Sequence, residues 1–218
     1  IFQIYRRFEN ILNLNQDFIV GVSGGSDSLA LCFLTKIYSI KKSLNAYYFI
    51  VDHRLRKNSS IEAQSVKKLL KKFNIKSDIL KWYGKKPNSN IQSLARNKRY
   101  SLLINRAKKL NVKTILTGHH LDDLYENFFI RISRGSGLNG LVSFGKKTQR
   151  GKLNILRPLI SFEKKNLNYV TTKVFNSYIH DPSNEDNKFK RVRIRKLIKN
   201  LQSDGLDKDK FLLTIKNL

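Results

Sequence analysis

The sequence predicts an α/β protein built on a doubly wound, mostly parallel five-stranded sheet. Short apolar runs suited to buried strands alternate along the chain with segments of helical periodicity. The first run, Phe18-Ile19-Val20-Gly21-Val22, meets Ser23-Gly24-Gly25-Ser26-Asp27-Ser28 and then an apolar-rich helix pattern. That is a strand, a glycine turn and a helix start, the arrangement that presents backbone N–H groups to an anion. Finally, each unusual polar cluster falls at the carboxyl end of a strand, where open α/β sheets take their ligands.

The elements follow in order. Residues 1–16 read as a helix, with Phe2, Tyr5, Phe8, Ile11 and Leu12 at helical spacing. The strand at 18–22 and its glycine turn lead into a helix that runs to about Tyr38. Leu44 to Val51 is a continuous apolar run suited to a parallel strand buried on both faces, and Ser59 or Ser60 opens a helix reaching Phe73. Ile75 to Trp82 is a third strand, Pro87 to Leu110 a loop and then a long helix, and Val112 to Thr117 a fourth strand. A helix covers Leu124 to Ile132 and breaks at Arg134-Gly135-Ser136-Gly137. Ile155-Leu156-Arg157-Pro158-Leu159 reads as a fifth strand or an edge, because Pro158 cannot donate to a central ladder. Helices fill Phe162–Ser177 and Val192–Leu201. The stretch from Gly135 to Lys152, with five glycines and several cations, reads as a lid, an RNA-facing loop or plain surface. Residues 1–202 form one domain, and 203–218 a helical tail or linker.

The 218-residue chain is long enough to bury a full core. Its 43 Lys and Arg against 16 Asp and Glu leave a formal charge of +27. Abundant Lys, Asn and Ile match the drift of an AT-rich genome, but drift alone does not reduce Glu to five. The imbalance points to a polyanionic partner, nucleic acid first. No run approaches the length of a membrane-spanning helix and no secretory leader opens the chain, so no membrane association is expected. The single cysteine, Cys32, lies in the apolar pattern after the glycine turn; a lone core thiol fits a reducing, cytoplasmic setting. The absence of methionine fits a chain that is part of a longer one.

Five clusters carry chemistry. In Ser23–Ser28, Gly24 and Gly25 let the main chain approach a phosphate, Ser23, Ser26 and Ser28 add hydroxyls, and Asp27 or Ser28 caps the helix. One acid among phosphate ligands is repulsive unless it holds a cation, so Asp27 is assigned to Mg²⁺. Asp52-His53-Arg54 ends the second strand and either places a nucleoside or is a solvated terminus. Arg96 and Arg99, three apart on one helix face, suit a phosphate, although a solvated basic face is the ordinary reading. Gly118-His119-His120-Leu121-Asp122-Asp123-Leu124-Tyr125-Glu126 gathers three of the chain's 16 acids. Its histidines and aspartates suggest a metal without fixing a ligand geometry. Asp123 and Glu126 share a helix face and suit a small cationic substrate; stabilising a helix N-terminus explains Asp122 or Asp123 but not Glu126. Asp181-Pro182-Ser183-Asn184 with Arg191, Arg193 and Arg195 joins a turn to a basic helix suited to RNA phosphates.

Together these strings resemble the tRNA(Ile)-lysidine synthetases, a branch of the PP-loop ATP pyrophosphatases with a Rossmann-like, adenine nucleotide alpha hydrolase-like fold. The likeness runs in order through Ser23–Ser28, Val51–Arg56, Ala95–Tyr100, His119–Asp123, Arg131 to Arg134-Gly135-Ser136-Gly137-Leu138, Arg157-Pro158-Leu159 and Asp181–Asn184. It implies that ATP adenylates the 2-carbonyl oxygen of a wobble cytidine in tRNA(Ile) with a CAU anticodon, and that free L-lysine then displaces AMP. On this resemblance Ser23, Gly24, Gly25, Ser26, Asp27, Ser28, Asp52 and His53 bind ATP, with Asp27 on Mg²⁺. Arg96 and Arg99 stabilise charge at the reacting phosphate. Asp123 and Glu126 bind lysine, and one of them or His119 takes its proton. Arg131, Arg134, Arg191, Arg193 and Arg195 contact tRNA. Arg54 departs from the family pattern, which has glycine there. Family C-terminal domains that grip the tRNA are not matched, and the oligomeric state is left open between monomer and homodimer.

Three rival readings stand beside this one. A tRNA thiolase of the same superfamily needs cysteines for sulfur transfer or an iron–sulfur cluster, and Cys32 alone supplies neither. A small-molecule amidating ligase does not call for such positive charge. A non-catalytic RNA-binding fragment has no use for the acids and the glycine turn.

Overall fold

Complete burial selects the strands at the centre of the sheet. β1 (Phe18–Val22) and β4 (Thr114–Thr117) are adjacent and almost wholly enclosed. β1 also pairs in parallel with β2 (Ala46–Asp52), and beyond β2 lies β3 (Ser77–Lys81). On the other side β6 (Leu153–Leu156) runs parallel to β4, and β5 (Lys147–Arg150) closes that edge antiparallel to β6. The order is β3-β2-β1-β4-β6-β5. All strands but β5 direct their carboxyl ends to one rim, and the winding reverses between β1 and β4, where such sheets form a ligand crevice. This computed structural model describes residues 1–55, 58–84, 91–179 and 186–218.

Helices cover both faces. α1 (Phe2–Ile11), α2 (Ser26–Lys41), α3 (Ser59–Lys72) and α7 (Lys164–Phe175) bury Phe8, Leu31, Leu70 and Val170 in one apolar cluster with β1 and β2. Cys32 is part of this cluster and fully enclosed, and burial pushes its thiol pKa up. Against the opposite face, α4 (Ile91–Lys109) packs Leu103 and Ala107 on Ile19, Phe49 and Ile115. A separate cluster joins α5 (Leu121–Ile132), α6 (Leu138–Leu141), α8 (Lys190–Ser203) and α9 (Lys208–Asn217) around Tyr125, Phe128 and Phe211. In that cluster the Tyr125 hydroxyl donates to the Lys208 carbonyl at 2.9 Å, drawing α9 onto α5. Among the described residues no helix is long and apolar enough to cross a membrane.

The doubly wound α/β reading holds, with six strands among the described residues where five are expected. The additional strand, Lys147-Thr148-Gln149-Arg150, has no apolar alternation because it is a solvent-facing edge, and its cations suit an edge. It and α6 occupy the segment expected to be loop. The run expected over 155–159 stops as a strand at Leu156, ahead of Pro158. α5 begins at Leu121 rather than Leu124 because His120 caps it, accepting from Asp122 N while Asp123 accepts from His120 N.

Helix α1 ends at Ile11 instead of 16 for a tertiary reason. The buried Tyr38 hydroxyl accepts from Leu14 N at 2.8 Å and donates to the Leu14 carbonyl at 3.1 Å, holding that residue out of helix just before β1. Tyr38→Phe removes both bonds and is expected to lower the unfolding free energy by about 1–2 kcal/mol. Urea denaturation measures this; an unchanged midpoint would show that the segment is held otherwise.

Candidate active site

The glycine turn folds around one hydroxyl. Ser23 N and Gly24 N donate to Ser28 Oγ at 3.2 and 3.0 Å, and that oxygen donates to the Gly25 carbonyl at 2.9 Å. Ser28 therefore braces the loop, and the expected capping of α2 by Asp27 or Ser28 does not occur. Gly25 is the N-cap and no side chain caps the helix, so no capping side chain competes for its first-turn N–H groups. Gly24 has φ +86°, and a Cβ there would lie 2.4 Å from Val66 Cγ2, so only glycine fits.

The end of β4 lies directly against this loop. A Cβ on Gly118 would come within 3.2 Å of the Asp27 backbone and Ser28 Cα. The close approach brings His120 Nε2 to 3.6 Å from both Asp27 Oδ2 and Asp123 Oδ2. One imidazole thus bridges the glycine turn and the acid cluster. Burial raises the Asp123 pKa, but His120, His119, Arg191 and the His120 N–H outweigh it and hold the carboxyl below its ordinary range. At Glu126 burial wins, with the like charge of Asp123 adding to it, and its pKa is raised despite Arg195.

Three cations reach these acids from the C-terminal third. Lys164 Nζ stands 2.7 Å from both Asp27 carboxylate oxygens and 2.9 Å from Ser26 Oγ. Nearby, Thr171 Oγ1 donates to the Ser26 carbonyl at 2.7 Å, seating α7 on the loop. Arg191 Nη1 is 3.8 Å from Asp123 Oδ1. Arg195 pairs with Glu126 through Nε, its Nη2 lying 3.4 Å from the second oxygen. Arg191 and Arg195, expected to contact tRNA, thus pair with buried carboxylates while their side chains stay 34% and 39% exposed. Arg193 and Arg134 are exposed, and Arg131 is half-buried with a Nε that lacks a partner.

From the opposite sheet face, α4 contributes Arg96 and Arg99. Arg96 Nη1 lies 3.4 Å from His119 Nε2, and Arg99 Nε donates to His53 Nε2 at 3.4 Å. Arg96 also packs over the rings of Tyr100 and Phe144, and Arg157 packs over Phe144 as well. Burial, then the charges of Arg96, Arg157 and Arg191 against the pull of Asp123, bring the His119 pKa down to about 3. Burial and Arg99 take His53 to about 4. Both imidazoles are neutral near pH 7. His119, expected as a candidate base, is weakly basic here, and its Nδ1 lies 2.9 Å from Thr117 Oγ1.

Asp52 also departs from expectation. Its carboxylate accepts from Arg54 N, Ser59 Oγ and Ser60 Oγ at 2.6–2.9 Å. Burial raises its pKa, but those bonds prevail and hold the carboxyl low. It ties the end of β2 to the start of α3. That turn puts Arg54 at φ +53°, a left-handed position that favours glycine, with its guanidinium 5.2 Å from the Tyr83 ring centroid. The Asp181-Pro182-Ser183-Asn184 turn and Arg56 lie outside the described residues, as does Pro87. Among the described residues no three His, Cys, Asp or Glu side chains are grouped to hold a metal, so the suggested histidine–aspartate metal cluster is not assembled. A cavity of about 500 Å³ lined by Ala107, Lys113 and Leu153 opens at the opposite edge of the sheet and contains none of these groups.

Sequence reasoning missed Lys164 and Phe144 and gave Arg157 no role of its own. Lys164 is one lysine among many, 137 residues from its partner, so no local pattern marks it. Arg157 was legible within a motif, but the stacking of its guanidinium on Phe144 is purely tertiary.

The chain is similar to known proteins. The chain is 37% identical to the tRNA(Ile)-lysidine synthase of Rhodopseudomonas palustris over 87% of its own length and 55% of that protein's. It is 37% identical to the enzyme of that name from Orientia tsutsugamushi over 86% and 42%, and 35% identical to that of Wolbachia pipientis wMel over 95% and 49%. The chain thus spans about half the length of these relatives. The solved U34-tRNA thiolase NcsA from Methanococcus maripaludis, with its 4Fe–4S cluster, superposes with a TM-score of 0.81 at 16% identity, covering 99% of this chain and 80% of that one. That likeness extends to the fold. The PP-loop domain model matches residues 2–201, from α1 into α8 and through every group on the rim, and the chain belongs to that family.

Proposed function

We propose that this chain carries the ATP-using catalytic site of a tRNA(Ile)-lysidine synthase. The observation that supports it best is the Asp27–His120–Asp123 bridge, which sets an anion cradle beside an acidic receptor. A site of that kind suits a nucleotide's phosphates and a cationic amino acid side by side. The exposed Arg134 and Arg193, in a chain of charge +27, suit RNA phosphates around it. The thiolase alternative has only the enclosed Cys32 to offer.

The chemistry runs in two displacements. The 2-carbonyl oxygen of the wobble cytidine in tRNA(Ile) with a CAU anticodon attacks the α-phosphorus of ATP, and pyrophosphate leaves. The lysine ε-amine then attacks C2, and AMP departs with the former carbonyl oxygen, giving lysidine. Loop N–H groups and the hydroxyls of Ser23 and Ser26 hold the phosphates, while Arg96 and Arg99 approach from the opposite face to offset developing charge. His53, whose buried Nδ1 has no partner, offers the nucleoside a hydrogen-bonding atom. Asp123 and Glu126 receive the lysine ammonium. Glu126 is the better proton acceptor, because its raised pKa makes it a stronger base than Asp123 or His119. Lysine binding on this reading displaces Arg195 from Glu126.

A Mg²⁺ ion accompanying ATP would be held by Asp27. Its side chain is 24% exposed, and one carboxylate completed by phosphates and water suits this ion. When bound, the ion neutralises phosphate charge.

The reading is tested by incubating the protein with ATP, labelled lysine and tRNA(Ile) bearing a CAU anticodon and scoring label in the RNA. Label is expected; its absence from RNA while pyrophosphate exchange proceeds would point to another PP-loop reaction. Asp27→Asn should lower ATP–pyrophosphate exchange by about a hundredfold or more with an unchanged circular dichroism spectrum. Undiminished exchange would refute its role. Glu126→Gln should raise the apparent lysine requirement about tenfold or more while the ATP requirement moves less than about threefold. Equal changes in both would count against a lysine receptor.

A further inference from the structure

We propose that Lys164 is a phosphate-binding residue of this site, the cation that the sheet face opposite Arg96 and Arg99 contributes to the nucleotide's β- and γ-phosphates. The inference rests on the reading of the glycine turn as an ATP cradle and adds a residue to it.

Lys164 stands in the first turn of α7, 137 residues from Asp27, yet its ammonium makes three short contacts with the first turn of α2. Two are to the Asp27 carboxylate and one to Ser26 Oγ, which together use all three N–H donors. The residues it touches are members of the cradle itself. Its backbone position is fixed from below, because Thr171, further along α7, donates to the Ser26 carbonyl, and Leu167 and Val170 are fully buried. The side chain is 40% exposed and Asp27 24%, so the pair lies at the open rim rather than in the core.

Partly exposed lysine–carboxylate pairs add little to fold stability. The same pair matters much more to an incoming anion. With Lys164 in place the empty cradle carries no net charge; without it, the lone Asp27 carboxylate repels phosphate. A lysine ammonium is a compact charge on a flexible four-carbon stem, able to pass from one acceptor to another nearby. When an anion enters, Nζ turns from Asp27 to a phosphate oxygen while keeping Ser26 within reach. α4 and α7 then supply cations from opposite faces of the sheet, and the phosphates lie between them.

The test is calorimetric binding of sodium pyrophosphate, with EDTA present, to the full chain and to Lys164→Gln, Lys164→Arg and Asp27→Asn/Lys164→Gln, with adenosine as a second probe. Lys164→Gln should weaken pyrophosphate binding about tenfold or more and leave adenosine binding unchanged. Lys164→Arg should stay within about threefold of the parent. The double variant is decisive because its cradle is as neutral as the parent's. If Lys164 contacts phosphate, binding stays weak; if Lys164 only neutralises Asp27, the double variant recovers parental affinity and the proposal fails. Equal loss of adenosine binding in Lys164→Gln would also overturn it by showing a structural role. A parent chain that binds no pyrophosphate would instead overturn the cradle reading, and this proposal with it.

Discussion

The Asp27 carboxylate is held between Lys164 and His120, and His120 in turn reaches Asp123. This short chain of charges connects α2, the β4–α5 turn and α7, elements far apart in sequence. In a protein of charge +27, acids are scarce, and those at the strand ends are met by cations from the C-terminal third. Asp27 meets Lys164, Asp123 meets Arg191, and Glu126 meets Arg195. Pairing of this kind lets buried carboxylates stay charged, and breaking one partner leaves the other unsatisfied. The geometry of the rim therefore depends on α7 and α8 being docked, although the glycine turn itself is complete within six residues.

Contiguity decides how much of this was legible in the sequence. Ser23–Ser28 and His119–Asp123 declare themselves because their residues are neighbours and follow apolar runs. The parallel core was equally readable, since β1, β2 and β4 must be apolar on both faces. The edge strand β5 was not, because solvent asks nothing apolar of it. Nor was the early end of α1: helical spacing continues to Leu12, and only the distant Tyr38 hydroxyl stops the helix there. Lys164 is the extreme case, one lysine in a lysine-rich chain, given meaning by a contact that no spacing rule encodes.

Residues already engaged by their surroundings share a cause. Asp52 lies at the rim as expected, yet local donors take its carboxylate for the β2–α3 turn. His119 lies in the site, yet burial among arginines strips it of basicity. Arg191 and Arg195 are on the basic helix, yet their guanidinium groups also pair with buried acids. Sequence marks which groups can act, whereas their surroundings decide which are already committed.

The enclosure of Cys32 has a practical consequence. A thiol packed inside α2, with its ionisation suppressed, is shielded from maleimides and iodoacetamides while the fold persists. A cysteine introduced on α8 or beside the cradle would then be the one reactive thiol of the native chain. Fluorophores or spin labels placed there would report helix movement on nucleotide binding without first removing the natural residue.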